Sequence, residues 1–118
     1  MHIAYLEDNP TNVALVERII RSTPHQLTCF SSAEEAYEPL LAGDFHLIFV
    51  DVELSGELNG LDLVQKLREA GLATPIIALT AYAMVGDQER CLAAGCTGYL
   101  AKPIAVPDLL NLLETFAP

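Results

Sequence analysis

The chain has 118 residues, 52% of them hydrophobic, which is enough for one domain with a core and leaves little room for a second. Sixteen acidic residues stand against six basic ones, a formal charge of -10, so direct nucleic-acid binding is excluded and a basic partner or a bound cation is favoured. No apolar run nears the roughly 18 residues of a membrane helix. Met1 is followed by His-Ile-Ala-Tyr-Leu without a basic or long apolar leader, so neither membrane association nor export is expected.

Residues 3–6 (Ile-Ala-Tyr-Leu) form a short apolar strand. Asn9 is a good N-cap and Pro10 suits a first helical position. Val13, Val16 and Ile20, backed by Leu15 and Ile19, recur at helical spacing until Pro24 stops the helix. Residues 27–30 read as a second strand. Ser31 or Ser32 caps the next helix, where Ala33, Ala36, Tyr37 and Leu40 fall at i, i+3, i+4 and i+7, and Gly43 ends it. Residues 47–50 are a continuous apolar run, as in a strand covered on both faces.

A polar stretch from Glu53 to Asn59 precedes a helix over 60–69, with Leu63, Val64 and Leu67 inward and Gly71 as its stop. Residues 75–79 form a fourth strand with Pro75 tolerated at its start. A helix from about Met84 to Ala94 ends at Gly95, and Tyr99-Leu100 sit in a short fifth strand. Pro107 opens a last helix with Leu109, Leu112, Leu113 and Phe116 inward; Leu110 departs from that stripe, as an exposed contact or a rim core residue. Five strands alternating with five helices predict an α/β fold, a doubly wound five-stranded parallel sheet with helices on both faces. Cys29, Cys91 and Cys96 are odd in number and contain no CxxC pair, and His2, His25 and His46 lie far apart, so reduced thiols in a cytoplasmic protein are expected rather than a zinc site.

In an open α/β sheet, ligands bind beyond the carboxyl ends of the strands. The residues just past each apolar run are Glu7 and Asp8, Asp51, Thr80, and Lys102-Pro103. Singly, each has a plainer reading: a solvated acid, a turn hydroxyl, a surface lysine, and for Tyr99 a half-buried strand aromatic. Jointly their chemistry is coherent. Three converging carboxylates repel and need a counter-charge. A hard divalent cation such as Mg²⁺, which takes oxygen ligands, supplies it. Lys102 adds a point charge and Thr80 a hydroxyl donor, a set suited to a phosphoryl group, and an aspartate can itself be the nucleophile.

Residues 6–10 (Leu-Glu-Asp-Asn-Pro), 50–52 (Val-Asp-Val), 79–81 (Leu-Thr-Ala) and 99–103 (Tyr-Leu-Ala-Lys-Pro) resemble, in order and separation, the motifs of the response-regulator receiver domain of bacterial two-component signalling. The resemblance covers essentially all of residues 1–118 and implies a flavodoxin-like, receiver-type fold. It implies that Asp51 is the phosphoacceptor, taking its phosphoryl group from a sensor histidine kinase or a histidine phosphotransfer domain. It implies Mg²⁺ held by Asp8, Asp51 and the Glu53 backbone carbonyl, with Glu7 acting through water. Thr80 resembles the switch hydroxyl, Lys102 the phosphoryl-binding lysine, Lys102-Pro103 the cis peptide, and Tyr99 the aromatic that turns inward.

Phosphorylation would shift the population between two states and alter the face of the fourth helix, fifth strand and fifth helix. A downstream protein would dock there, and a homodimer is a separate expectation with no face assigned to it. Such a domain assists its own phosphotransfer and dephosphorylation and is not an enzyme acting on a separate substrate. Two departures from the family pattern stand out: Leu54-Ser55 replace Met-Pro, and Gly60 is nine residues after Asp51, so Ser55-Gly56-Glu57 read as a loop one residue longer. Glu53 and Tyr82, two residues after Asp51 and Thr80, flank the path of the attacking water in the family and are expected to tune the lifetime of the phosphorylated form. Tyr82 reads either as a shield over the phosphoryl group or as an exposed tyrosine.

Three other functions compete. In a flavodoxin-like cofactor protein, Glu7-Asp8 would repel the flavin phosphate, and the chain has no tryptophan. A metal-dependent phosphatase would need a further general acid beside Asp51, which Val52-Glu53 does not match. A receiver-like interaction module that works without phosphate is the remaining alternative, and the complete set of acids and lysine speaks against it. Both a stand-alone receiver and one domain of a longer regulator or hybrid kinase fit the sequence.

Overall fold

In the computed structural model, which describes residues 1–54, 58–81 and 85–117, strands and helices alternate along the chain. They are β1 (His2–Leu6), α1 (Pro10–Arg21), β2 (Gln26–Phe30), α2 (Ala33–Ala42), β3 (Leu47–Asp51), α3 (Gly60–Glu69), β4 (Ile76–Thr80), α4 (Val85–Ala94), β5 (Gly98–Ala101) and α5 (Val106–Phe116). The five strands form one parallel sheet in the order β2-β1-β3-β4-β5. The expected loop at Ser55-Gly56-Glu57 and the expected helix start at Met84 lie outside the described residues.

The continuous apolar runs become two cores because successive strand side chains point to opposite faces. Ile3 and Tyr5, Leu47 and Phe49, and Ile77 and Leu79 join Val16, Ile19 and Ile20 of α1 and Leu109 and Leu113 of α5. Ala4 and Leu6, Ile48 and Val50, and Ile76 and Ala78 join residues of α2, α3 and α4 such as Ala36, Leu40, Leu63, Leu67 and Cys91. The chain winds outward from β1 to β2 in one direction and from β3 to β5 in the other. The reversal leaves a crevice at the carboxyl ends of β1 and β3.

Local chemistry fixes the helix starts. The Asn9 side chain accepts from the N–H groups of Thr11 (2.9 Å) and Asn12 (3.3 Å). Of the two candidate caps for α2, it is Ser32 that accepts the Glu35 N–H, at 3.1 Å. Asn59 and Asp62 form a reciprocal capping box at α3. Helix α5 begins at Val106, one residue before Pro107, whose missing N–H costs nothing in a first turn. Leu15 is a correction: it is 42% exposed, off the buried stripe of α1. Leu110 is half-buried against the α1/α5 core, as a rim residue. All three cysteines are free thiols, and burial pushes Cys29 up to about 11 and Cys96 up to about 12.

Gly60 is the tightest point beneath the crevice. A Cβ there would collide with the Asp51 carbonyl oxygen and lie 2.7 Å from Val50 Cγ1. Gly60→Ala is therefore expected to lower stability by about 1–3 kcal/mol, as overpacking does, read from the urea midpoint. Gly86→Ala in α4, where a Cβ meets no atom of the described residues within 4 Å, should be neutral or stabilising by up to about 1 kcal/mol through helix propensity.

Candidate functional site

Parallel pairing of β1 with β3 sets Leu6 beside Val50, so one further step of that register brings Glu7 next to Asp51. Both follow the parity of Tyr5 and Phe49, so both side chains lie on the α1/α5 side of the sheet. Both are 2% exposed. Lys102, which directly follows β5, reaches across to them: its Nζ lies 2.7 Å from Asp51 Oδ1 and 3.3 Å from Glu7 Oε1. Glu7 Oε1 also accepts from the Asn12 side-chain amide (2.9 Å) and the Tyr5 hydroxyl (3.2 Å). Asp8 is exposed at the mouth. Glu7, Asp8 and Asp51 can each offer a carboxylate oxygen with all three within 4.8 Å of one another.

The electrostatics of this cluster are unbalanced. Burial, then contact with and repulsion by Asp51, push the Glu7 carboxyl above its ordinary range, while Lys102 and Asn12 pull it back only in part. Glu7 Oε2 is buried and finds no hydrogen-bond donor among the described residues. Asp51 can bond to Glu7 only when one of the two carboxyls carries a proton, and otherwise repels it. For Lys102, burial favours the neutral amine, but the hydrogen bonds and charges of Asp51 and Glu7 outweigh it and hold the ammonium. Burial, followed by the Glu7 charge, raises the Tyr5 phenol, which stays neutral and donates.

Thr80 ends β4 on the opposite parity, facing the α4 side. Its hydroxyl donates to Glu53 Oε1 at 2.9 Å, and the Ala81 N–H donates to the same oxygen at 3.1 Å. The Glu53 N–H in turn donates to Asp51 Oδ1 at 3.0 Å. The turn after β3 therefore ties Asp51 to the end of β4. The Lys102–Pro103 peptide is cis. Tyr99 stands apart from the cluster, 37% exposed on β5, paired with Ala78. Tyr82 lies outside the described residues.

Sequence reasoning missed three groups. Asn12 follows Glu7 by five residues, in the first turn of a helix that starts at the crevice, and that placement was a usable signal. Tyr5 shares the parity of Glu7 and reads simply as core. The Ala81 amide is backbone and leaves no mark in a sequence.

The fold and the pocket define an α/β protein with an acidic, lysine-paired site at its topological switch point. The family described as the response regulator receiver domain matches residues 3–114, and the chain belongs to it, among the receivers of two-component and phosphorelay signalling. It is 34% identical over 118 residues to the polar-differentiation response regulator DivK of Brucella ovis, covering 97% of this chain and 94% of DivK. It is 33% identical over 121 residues to the signal transduction histidine-protein kinase BarA of Escherichia coli K12, covering all of this chain and spanning 13% of BarA.

Two solved structures are similar over most of their length. One is the receiver domain of the sensor histidine kinase PA1611 of Pseudomonas aeruginosa, with a magnesium ion coordinated in its active-site cleft; TM-score 0.87, 35% identity, 98% of this chain and 95% of that one. The other is the receiver domain of Ssk1 crystallised with the phosphotransfer protein Ypd1 of Saccharomyces cerevisiae; TM-score 0.91, 25% identity, 98% and 88% covered.

The raised Glu7 carboxyl carries a pH signature. A group whose folded pKa lies above its unfolded value loses stability as pH rises through the folded value, here from the ordinary 4.5 upward. In metal-free protein, Glu7→Gln should therefore be more stable than wild type at pH 7. The advantage should vanish below about pH 4.5, where the acid is protonated in both states. Urea unfolding at both pH values checks it.

Proposed function

We propose that Asp51 accepts a phosphoryl group from a phosphohistidine, assisted by Mg²⁺, and that this switches the face built by α4, β5 and α5. The observation that carries the reading is the Asp51 carboxylate itself, buried at the end of β3 with Lys102 Nζ at 2.7 Å and two further carboxylates beside it. An all-oxygen donor set with a buried, donor-less Glu7 Oε2 fits a hard divalent cation. Asp8, Asp51 and the Glu53 backbone carbonyl would hold Mg²⁺ directly and Glu7 through water. When bound, Mg²⁺ neutralises carboxylate and phosphoryl charge.

In the transfer, an Asp51 carboxylate oxygen attacks phosphorus. The O–P bond forms as the histidine N–P bond breaks, its electron pair stays on the ring nitrogen, and the imidazole leaves neutral with its proton on the other nitrogen. Lys102 compensates the anionic product, and the Thr80 hydroxyl donates to a phosphoryl oxygen. Glu53 and Tyr82 tune the lifetime of the product. Tyr99 moves inward from its exposed position. The output face carries Leu92 at 51% and Val106 at 43% exposure, apolar surface for a downstream protein or a second copy of the chain. The phosphoryl donor is a sensor histidine kinase or a histidine phosphotransfer domain, a reading supported by relatives that are kinases and by the receiver solved with Ypd1. The chain then acts in the cytoplasm as a phosphoacceptor, assisting its own transfer and hydrolysis. Among the described residues no helix is long and apolar enough to cross a membrane.

Intact mass after incubation with Mg²⁺ and acetyl phosphate tests the acceptor. Wild type should gain one phosphoryl group and Asp51→Asn none. A gain in the variant, or no gain in wild type together with no beryllofluoride-dependent spectral change, would sink the assignment. Millimolar Mg²⁺ should raise the thermal midpoint, because it binds the folded carboxylate cluster and not the unfolded chain. Asp8→Asn should flatten that response in a calorimetric titration.

A further inference from the structure

The Glu53 side chain does something its position in the sequence does not announce. Its Oε1 accepts two hydrogen bonds, from the Thr80 hydroxyl (2.9 Å) and from the Ala81 N–H (3.1 Å), while its own N–H holds Asp51 Oδ1 at 3.0 Å. An anionic oxygen gathering a hydroxyl and an adjacent backbone amide is the arrangement a phosphoryl oxygen would need there. A threonine hydroxyl has one proton, so Thr80 cannot donate to Glu53 and to a phosphoryl group at once.

We infer that the Glu53 carboxylate is a built-in placeholder for the phosphoryl group, occupying its donors in the unphosphorylated protein and evicted when Asp51 is modified. The inference rests on the reading of Asp51 as acceptor and of Thr80 as a phosphoryl ligand. Two features favour eviction over coexistence. Glu7, Asp8 and Asp51 already crowd the site with carboxylates, and a retained Glu53 would add one more negative charge against the incoming anion. The displaced side chain also has somewhere to go. Glu53 is exposed and borders a recess of about 140 Å³ lined by Val52, Thr80, Asp87, Arg90 and Cys91, where the Arg90 guanidinium of α4, paired with Asp87 at 3.4 Å, is the cation a displaced carboxylate would share. Glu53 is thus a positioning residue: it holds Thr80 and Ala81 in the resting arrangement and sets how readily they are released.

The test is beryllofluoride binding with Mg²⁺, followed through the Ala81 amide resonance because the chain has no tryptophan, beside the rate of phosphorylation by acetyl phosphate. Glu53→Ala removes the competitor and should bind beryllofluoride about tenfold more tightly, equivalent to about 1.4 kcal/mol. Its phosphorylation should be correspondingly faster. Glu53→Gln keeps the shape but loses the charge, and should fall between the two. A side chain that merely supports the turn would give the reverse order, with both variants weaker than wild type. Equal or weaker binding by Glu53→Ala and Glu53→Gln overturns the placeholder while leaving Asp51 as acceptor. If wild type neither binds beryllofluoride nor takes up phosphate, the reading of Asp51 fails and the placeholder fails with it.

Discussion

Glu7 and Asp51 lie side by side almost wholly out of water, and Lys102 is the cation that makes the arrangement tolerable. Two buried carboxylates with no counter-charge would cost several kcal/mol or oblige one of them to hold a proton. One ammonium at 2.7 Å and 3.3 Å compensates them only in part, and the Glu7 oxygen without a donor is where the deficit shows. Much of the surrounding structure serves this point. Helix α1 starts where it can lend Asn12, and β1 contributes Tyr5. A site held in electrostatic deficit is ready to accept positive charge.

The sheet gives the site two sides with different duties. Glu7, Asp51 and Lys102 lie towards α1 and α5, where charge is gathered and compensated. Thr80 lies towards α4, beside Asp87, Arg90 and Cys91. The turn after β3 crosses between them, its amide on Asp51 and its Glu53 carboxylate on Thr80 and Ala81. Asp51 is thereby linked to the α4 side through one residue and three hydrogen bonds, across a sheet whose two cores are separately filled.

The family likeness runs over nearly the whole chain, yet the relatives use the unit differently. It accounts for almost all of DivK and for a small fraction of BarA. The same sheet and crevice thus occur nearly alone and inside a much longer kinase. This is what a domain with its own complete core permits, since the core closes without help from neighbours.

The sequence by itself determined the number, kind and order of the elements. Apolar runs such as 47–50 and the helical stripes of α1 and α5 are local periodicities, and caps such as Asn9 and Asn59 act within one turn. It also determined which residues sit at strand ends, and so named Glu7, Asp8, Asp51, Thr80 and Lys102 as one set. Only the tertiary structure decided the strand order, the pairing of Glu7 and Asp51 with Lys102, and the exposure of Leu15. It also decided that Glu53 turns its side chain onto Thr80 and Ala81. These depend on register between strands distant in sequence and on the path of one turn, and nothing local encodes either: a residue's partners across a sheet are set by every connection that brings the strands together.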